Sequence, residues 1–320
     1  MIALVLIGLA AGAVSALMFT SMISGELIAL VLIYLAPLPL MVAAIGWGPL
    51  CAAIGGIAAT AALGAIFGLP LCAAFAIGVA LPGWWLGHLA LLGRPAVGPS
   101  TSDAAPDGHD LEWYPVGRLL LWIVAFATFA TFALLLTRGG DAASIAEGLK
   151  HDLEQVLAAF AVTADDQVLD ALVAVIPICG VIGSFVVLTL NLWLAAKIAA
   201  TSGRMRRPWP DLRGTALPPL TLAALCVAIA LCYTGGLTAL LAKLVTSALM
   251  MAYAFTGFAV LHTLTTALKS RVFWLGSAYI IVVLFMWPVL AMVVLGLADA
   301  VFGFRARYLR SRLPPPLPAP

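Results

Sequence analysis

A few polar side chains stand inside long apolar runs of this sequence, and they are the residues able to do chemistry there. Asn191, Lys197, Lys243, His262 and Asp299 each interrupt a stretch of aliphatic residues. Because an ionisable group near the centre of a membrane helix costs about 3 kcal/mol, each needs a reason to be retained. We interpret both lysines as snorkelling toward an interface. Asn191, His262 and Asp299 are candidate ligand-binding residues. The alternatives are a hydrogen bond between helices for Asn191 and His262, and an ion pair with a nearby Arg for Asp299.

Prolines expose a second kind of polar group, the backbone carbonyl. In "LAPLPLM", Pro37 and Pro39 each remove an amide donor, which leaves the carbonyls of Ile33 and Leu35 without their usual partners. Carbonyls of this kind must be satisfied by a neighbouring helix or face a cavity. Since broken helices often hold substrate in transporters, Pro37 and Pro39 are also candidate ligand-binding positions, with a packing kink as the alternative. Pro177 and Pro288 predict further breaks.

Catalytic chemistry is not indicated. The sequence contains no G-x-S-x-G, H-E-x-x-H or Walker A motif, and no paired carboxylates within an apolar run. The five cysteines all fall in apolar runs without a C-x-x-C pair, which is typical of small apolar fillers. We therefore predict no catalytic residue, no cofactor and no metal, and we expect a protein that is not an enzyme.

The composition identifies the class of protein that must position these groups. Hydrophobic residues make up 64% of the chain and charged residues only 9%, against roughly a quarter in soluble domains. The net charge of +2 is too small for a nucleic-acid partner. We predict an all-α polytopic transmembrane helix bundle in a lipid bilayer.

Apolar runs long enough to cross a bilayer recur along the chain and predict eight to nine spans. We treat residues 1–320 as a single integral membrane domain, divided into a Gly-rich four-span half (1–92), a second half (116–302) and an Arg/Pro-rich tail (303–320). The expected spans are 2–20, 27–44, 48–67, 71–91, 116–137, 171–200, 217–233, 237–266 and 272–298.

Charge in the connecting segments predicts the orientation. Arg204, Arg206, Arg207 and Arg213 predict that the loop after the sixth span lies in the cytoplasm, and Lys269 and Arg271 predict the same for the turn after the eighth. Counting back along the spans, the flexible loop 93–115 is also expected in the cytoplasm. The acidic segment 138–170 is expected outside, with an amphipathic helix over 141–160 that acts either as a lid or as a surface helix. Nine spans would leave the Arg-rich tail outside. Either one span is miscounted or the segment broken at Pro288 is not a simple crossing; we favour the miscount, with the tail inside.

Small residues predict close helix packing in the first half. Gly-x-x-x-Gly motifs of this kind let the backbones of two membrane helices approach closely. They occur in the first, third and fourth predicted spans, at Gly8 and Gly12, Gly64 and Gly68, and Gly83 and Gly87.

Four segments in a fixed order carry a resemblance to a known family. They are "LAPLPLMVAAIGWGPLCAAIGG", "NLWLAAK" followed by "RRPWPDLRGTALP", "GFAVLHTLTTALKSR" and "GLADAVFGFRAR". Together they resemble the YybS-like family of uncharacterised bacterial multi-pass membrane proteins. The first quarter is also similar to the substrate-binding components of energy-coupling-factor vitamin transporters and to the rod-shape protein MreD.

The resemblance implies a role in the bacterial cytoplasmic (inner) membrane. The first implied function is a small-molecule-binding subunit of an uptake transporter, driven by partner ATPase and coupling subunits. The long second half departs from the short transporter-component pattern, and the chain has no ATP site of its own. The alternative is therefore an MreD-like scaffold whose polar groups bind helices of envelope-assembly proteins.

Overall fold

Helices form nearly all of the regular structure in the computed structural model, which describes residues 1–95 and 111–310. Most of the loop predicted to be flexible and the last ten residues of the Arg/Pro-rich tail lie outside these ranges. The helices are α1 (Ile2–Thr20), α2 (Leu27–Leu35), α3 (Pro37–Trp47), α4 (Pro49–Phe67), α5 (Leu69–Phe75), α6 (Leu81–Ala90), α7 (Val116–Leu136), α8 (Ala142–Ala159), α9 (Asp166–Thr201), α10 (Leu220–Leu231), α11 (Gly236–Leu264), α12 (Arg271–Phe285), α13 (Val289–Phe302) and α14 (Phe304–Arg310). Strands β1 (Gly93–Pro95) and β2 (Leu111–Trp113) form one antiparallel pair.

Seven helical segments in the described ranges are long and apolar enough to cross a membrane. They are Ile2–Ile23, Leu27–Trp47, Pro49–Phe67, Leu69–Ala90, Val116–Leu136, Asp166–Thr201 and Gly236–Leu264. Three shorter apolar helices, α10, α12 and α13, accompany them. The prediction of an all-α polytopic membrane bundle is confirmed.

The last predicted span differs from the expectation of a single crossing. The chain turns between α12 and α13, where Met286 has a φ of 55° and Pro288 caps the new helix. Proline ends α12 because it supplies no amide hydrogen to continue the ladder. Pro177, by contrast, does not produce the predicted break, since it lies inside α9, which is one helix of 36 residues.

Helix α13 packs antiparallel against α11 through two glycines. A methyl group at Gly257 would overlap the carbonyl of Met292, and one at Gly296 would overlap the carbonyl of Tyr253. Backbones this close require residues without a side chain at the contact. The final hairpin therefore returns along α11, whereas α12 contributes no buried residue.

Two of the three predicted glycine motifs mediate helix packing. A methyl at Gly12 of α1 would overlap the Gly55 carbonyl of α4, and one at Gly87 of α6 would overlap the Ala44 side chain of α3. The third motif lies at the turn between α4 and α5, where Gly68 adopts a φ of 86°. That position needs glycine for its backbone conformation, because residues with a β-carbon rarely adopt it.

The larger hydrophobic core draws on both ends of the sequence. Met41 and Leu86 from the first half pack in one buried cluster with Phe185 of α9 and Tyr253 of α11. A smaller cluster, which includes Phe75, holds the first helices together. The long helices α7, α9 and α11 thus form the frame on which the polar groups are placed.

Helix α8 follows its predicted amphipathic pattern and is tied to the start of α9. It begins with a capping box in which Asp141 and Ser144 bond each other's backbone amides. Lys150 donates to Asp166 at 2.9 Å and to Asp170 at 3.2 Å. These hydrogen bonds raise the pKa of Lys150. The location of α8 on the outer side of the membrane, away from the cytoplasm, stays a prediction.

Candidate functional site

A cavity of about 790 Å³ lies between α7, α9 and α11, and we call it the basic cleft. Its walls are apolar, with Leu119 and Ile123 from α7, Leu190 and Trp193 from α9, and Phe258 from α11. Small-molecule sites in proteins typically occupy about 300–1,000 Å³ and combine such walls with a few polar groups. The basic cleft has the size and lining of a ligand site.

Polar groups converge at one end of the basic cleft. The linker between α9 and α10 supplies Arg207, Asp211, Arg213 and Thr215, while α11 and α12 supply His262, Arg271 and Tyr279. The carboxylate of Asp211 accepts a hydrogen bond from the backbone amide of Arg213 at 3.0 Å. The lining therefore contains three guanidinium groups and one carboxylate, so its net charge is positive.

One buried arginine fixes the start of the linker. Arg207 is only 9% exposed, and its Nη1 donates to the carbonyls of Tyr114 at 3.0 Å and Ala90 at 3.4 Å. Burial lowers the pKa of Arg207. The guanidinium nevertheless stays charged, because arginine does not deprotonate in proteins.

A second buried arginine fixes the end of the linker. Arg305 Nη1 donates to the carbonyls of Arg213 and Thr215, each at 2.8 Å. Since these bonds use the backbone of Arg213, they leave its side chain free to face the cleft. Within residues 1–95 and 111–310, the Arg213 guanidinium makes no hydrogen bond or ion pair.

His262 belongs to a short chain of polar groups contributed by α11 and α12. Its Nδ1 lies 3.5 Å from Arg271 Nη2, and its Nε2 lies 2.8 Å from the Tyr279 hydroxyl. Because a guanidinium only donates, Nδ1 is the acceptor and the Nε2 hydrogen is donated to Tyr279. The Tyr279 ring also stacks on Phe258 at 5.2 Å between centroids. Arg271 Nε is buried without a partner among the described residues.

Asp299 lines a second, smaller cavity of about 490 Å³, together with Tyr253 and Gly296. Its Oδ2 accepts from Arg305 Nε at 2.7 Å, and its Oδ1 accepts from the Arg305 amide at 2.9 Å. The structure thus shows the ion pair that was the alternative interpretation of Asp299. Arg213 lines both cavities, and Asp299 is connected to the linker between them through Arg305.

Asn191 forms a hydrogen bond next to the proline break in the second span. Ala36 donates its amide to the Ile33 carbonyl at 3.2 Å, and Asn191 Nδ2 donates to Tyr34 O at 2.7 Å. A hydrogen bond between helices was the alternative interpretation of Asn191, although the carbonyl it reaches is neither of the two expected. Neither cavity is lined by Pro37, Pro39 or Asn191. A role of these three residues in ligand binding stays a prediction.

Several groups of the basic cleft could not be identified from the sequence. Arg207, Arg213 and Arg271 were interpreted as charges that set the orientation, and Tyr279 was not singled out. Arg206 and Arg207 are neighbours of the same type, yet Arg206 is exposed and Arg207 is buried. No local pattern distinguishes the two, because their difference comes from carbonyls far away in the chain.

Lys197 reaches the aromatic residue that follows the Arg cluster. Its Nζ lies 5.4 Å from the centre of the Trp209 ring, in the geometry of a cation–π contact. Trp209 lines the basic cleft, so the predicted snorkelling lysine supports one edge of it.

Comparison with known proteins assigns the chain at the level of a family. No curated protein and no solved structure matches it. A family described as "Predicted membrane protein (DUF2232)" matches residues 141–300, which is half of the 320 residues. The matched region contains α9 and α11, most of α13, and the linker with Arg207 and Arg213. The chain therefore belongs to the DUF2232 family of predicted membrane proteins.

Proposed function

We propose that this protein is the small-molecule-binding subunit of an uptake transporter in the bacterial cytoplasmic membrane. The observation that carries the proposal is the basic cleft, an apolar cavity of about 790 Å³ with polar groups at one end. The protein acts by binding and not as an enzyme. Because the sequence has no ATP-binding motif, partner ATPase and coupling subunits supply the energy.

The electrostatics of the cleft support binding of a ligand with a negative charge. Arg213 and Arg271 present donors that are not used within the described residues. Arg271 is half-buried and its Nε has no partner among the described residues, which is unfavourable, and a ligand with acceptor oxygens satisfies this donor. The exposed Arg213 adds a second positive charge for the same ligand. Two buried arginines, Arg207 and Arg305, hold the linker by backbone carbonyls, so the site is formed before the ligand arrives.

One observation favours the second candidate, a scaffold for envelope assembly. Helix α12 is apolar but has no buried residue, and Phe273 and Trp274 are 68% and 55% exposed. A membrane helix of another protein could cover this face. Lipid alone also covers apolar helices, so α12 is weaker support for a scaffold than the basic cleft is for ligand binding.

The test is purification of the full chain in mild detergent, read by mass spectrometry for bound metabolites and co-purifying proteins. Ala196→Trp places a large ring in the basic cleft, and Ala200→Trp places the same ring on an exposed site of the same helix. We expect a metabolite in the wild type and in Ala200→Trp that is lost from Ala196→Trp. ATPase and coupling subunits should co-purify with all three.

Two results would contradict the proposal. Retention of the same metabolite in Ala196→Trp would place binding outside the cleft. Co-purification of envelope-synthesis proteins with an empty cleft would favour the scaffold.

A further inference from the structure

We propose that the basic cleft binds an amphiphilic anion that consists of one phosphate group on a long apolar chain; this inference rests on the function proposed above. The chain lies between α7 and α9, and the phosphate lies against Arg213 and Arg271. Neither the family nor the general shape of the cavity assigns this ligand class. The distribution of polarity within the cleft does.

The cleft is divided into an apolar part and a charged part. The apolar part is formed by helix residues such as Leu120, Ile123 and Leu190, and all the arginines lie at the linker and at the start of α12. A compact polar metabolite needs polar groups on several sides, because each of its own polar groups must be paired. A ligand with one charged end and one apolar end matches this division.

The donors at the charged end fit a phosphate. The Arg213 side chain is free among the described residues, Arg271 Nε is buried without a partner there, and so is the Thr215 hydroxyl. Together they offer several N–H groups and one O–H group to a single anion. Phosphate has enough acceptor oxygens to satisfy them, and guanidinium groups bind it with paired hydrogen bonds.

The wall formed by α9 gives the apolar chain a route from the bilayer. Val186, Leu190 and Trp193 line the cleft and are 37%, 47% and 43% exposed, so other parts of the protein do not cover this stretch of α9 completely. Their spacing of four and three residues places them on one face of a membrane-spanning helix. Because α9 is long and apolar enough to span a bilayer, we infer that lipid lies against this incompletely covered face and that a chain enters sideways without leaving hydrocarbon.

Binding of dodecyl phosphate to the detergent-purified full chain tests this class of ligand. Two comparison ligands separate the contributions: dodecanol lacks the negative charge, and inorganic phosphate lacks the apolar chain. We expect dodecyl phosphate to bind at least tenfold more tightly than either. Arg213→Gln or Arg271→Gln should weaken it by about tenfold to a hundredfold, the factor for losing a hydrogen bond to a charged group. Arg206→Gln, an exposed arginine of the same linker that does not line the cleft, should bind as the wild type does.

Three outcomes would overturn the assignment. Equal binding of dodecanol would remove the role of the phosphate, and wild-type binding by both Arg213→Gln and Arg271→Gln would remove the role of these arginines. Equal binding of inorganic phosphate or butyl phosphate would make the ligand a water-soluble phosphate, without entry from the bilayer.

The two proposals fail in different ways. If dodecyl phosphate does not bind but a metabolite is lost from Ala196→Trp, the ligand class is wrong and the binding function stands. If the wild type binds neither dodecyl phosphate nor any metabolite, both are wrong.

Discussion

Replacing Arg305 by Gln should strongly destabilise the protein, because this side chain ties three parts of the chain together. Its Nε bonds Asp299 at 2.7 Å, and its Nη1 bonds the carbonyls of Arg213 and Thr215 at 2.8 Å each. The Arg305 and Asp299 side chains are 10% and 8% exposed, so solvent screens the pair little. Breaking one partner of a buried ion pair leaves the other charge uncompensated. We expect a loss of about 3–5 kcal/mol.

The assay is equilibrium unfolding of the purified protein by SDS in mixed micelles. Arg307→Gln is the matched control, since Arg307 is an exposed arginine in the same short helix. The double variant Asp299→Leu with Arg305→Leu removes both charges together and should lose less than Arg305→Gln alone, because no buried charge is left unpaired. A loss for Arg305→Gln no larger than that for Arg307→Gln would refute the reasoning.

Three further predictions concern helix packing and orientation. Asn191→Leu removes the donor to the carbonyl at the proline break and should cost about 1 kcal/mol in the same unfolding assay; unchanged stability would show that the bond contributes nothing. Gly257→Ala should destabilise by about 1–3 kcal/mol because α13 must move away, whereas Gly276→Ala, which has open space, should not; equal effects would contradict the close contact. In a cysteine-free background in intact cells, an impermeant thiol reagent should label Glu147→Cys and not Ser202→Cys, and the reverse labelling would invert the predicted orientation.

The helical spans followed from the sequence because their cause is local. In hydrocarbon every backbone amide and carbonyl must be paired within its own segment, so an apolar run of sufficient length forms a helix whatever its neighbours are. The first six predicted spans and the eighth correspond to long apolar helical segments for this reason. The ninth did not, although Pro288 marked the place where it breaks. The direction of α13 depends on Gly257 and Gly296, which meet only in the fold.

The candidate site was only partly accessible from the sequence. His262 and Asp299 stood out because a polar group inside an apolar run is costly, and both line cavities. Asn191 stood out for the same reason, but it bonds the carbonyl of Tyr34, 157 positions away. The cost of a buried polar group shows that a partner must exist. It does not show whether that partner is a helix, another side chain or a ligand.

By itself, then, the sequence determined that this chain is a bundle of membrane helices and which of its polar groups need a partner. Only the tertiary structure decided what those partners are. Arg207 reaches Tyr114 across 93 positions and Arg305 reaches Thr215 across 90, while Arg206 stays exposed. The physical reason is that hydropathy and helix formation depend on residues near one another in the chain, whereas the burial and hydrogen bonding of an arginine depend on where distant carbonyls and carboxylates come to lie.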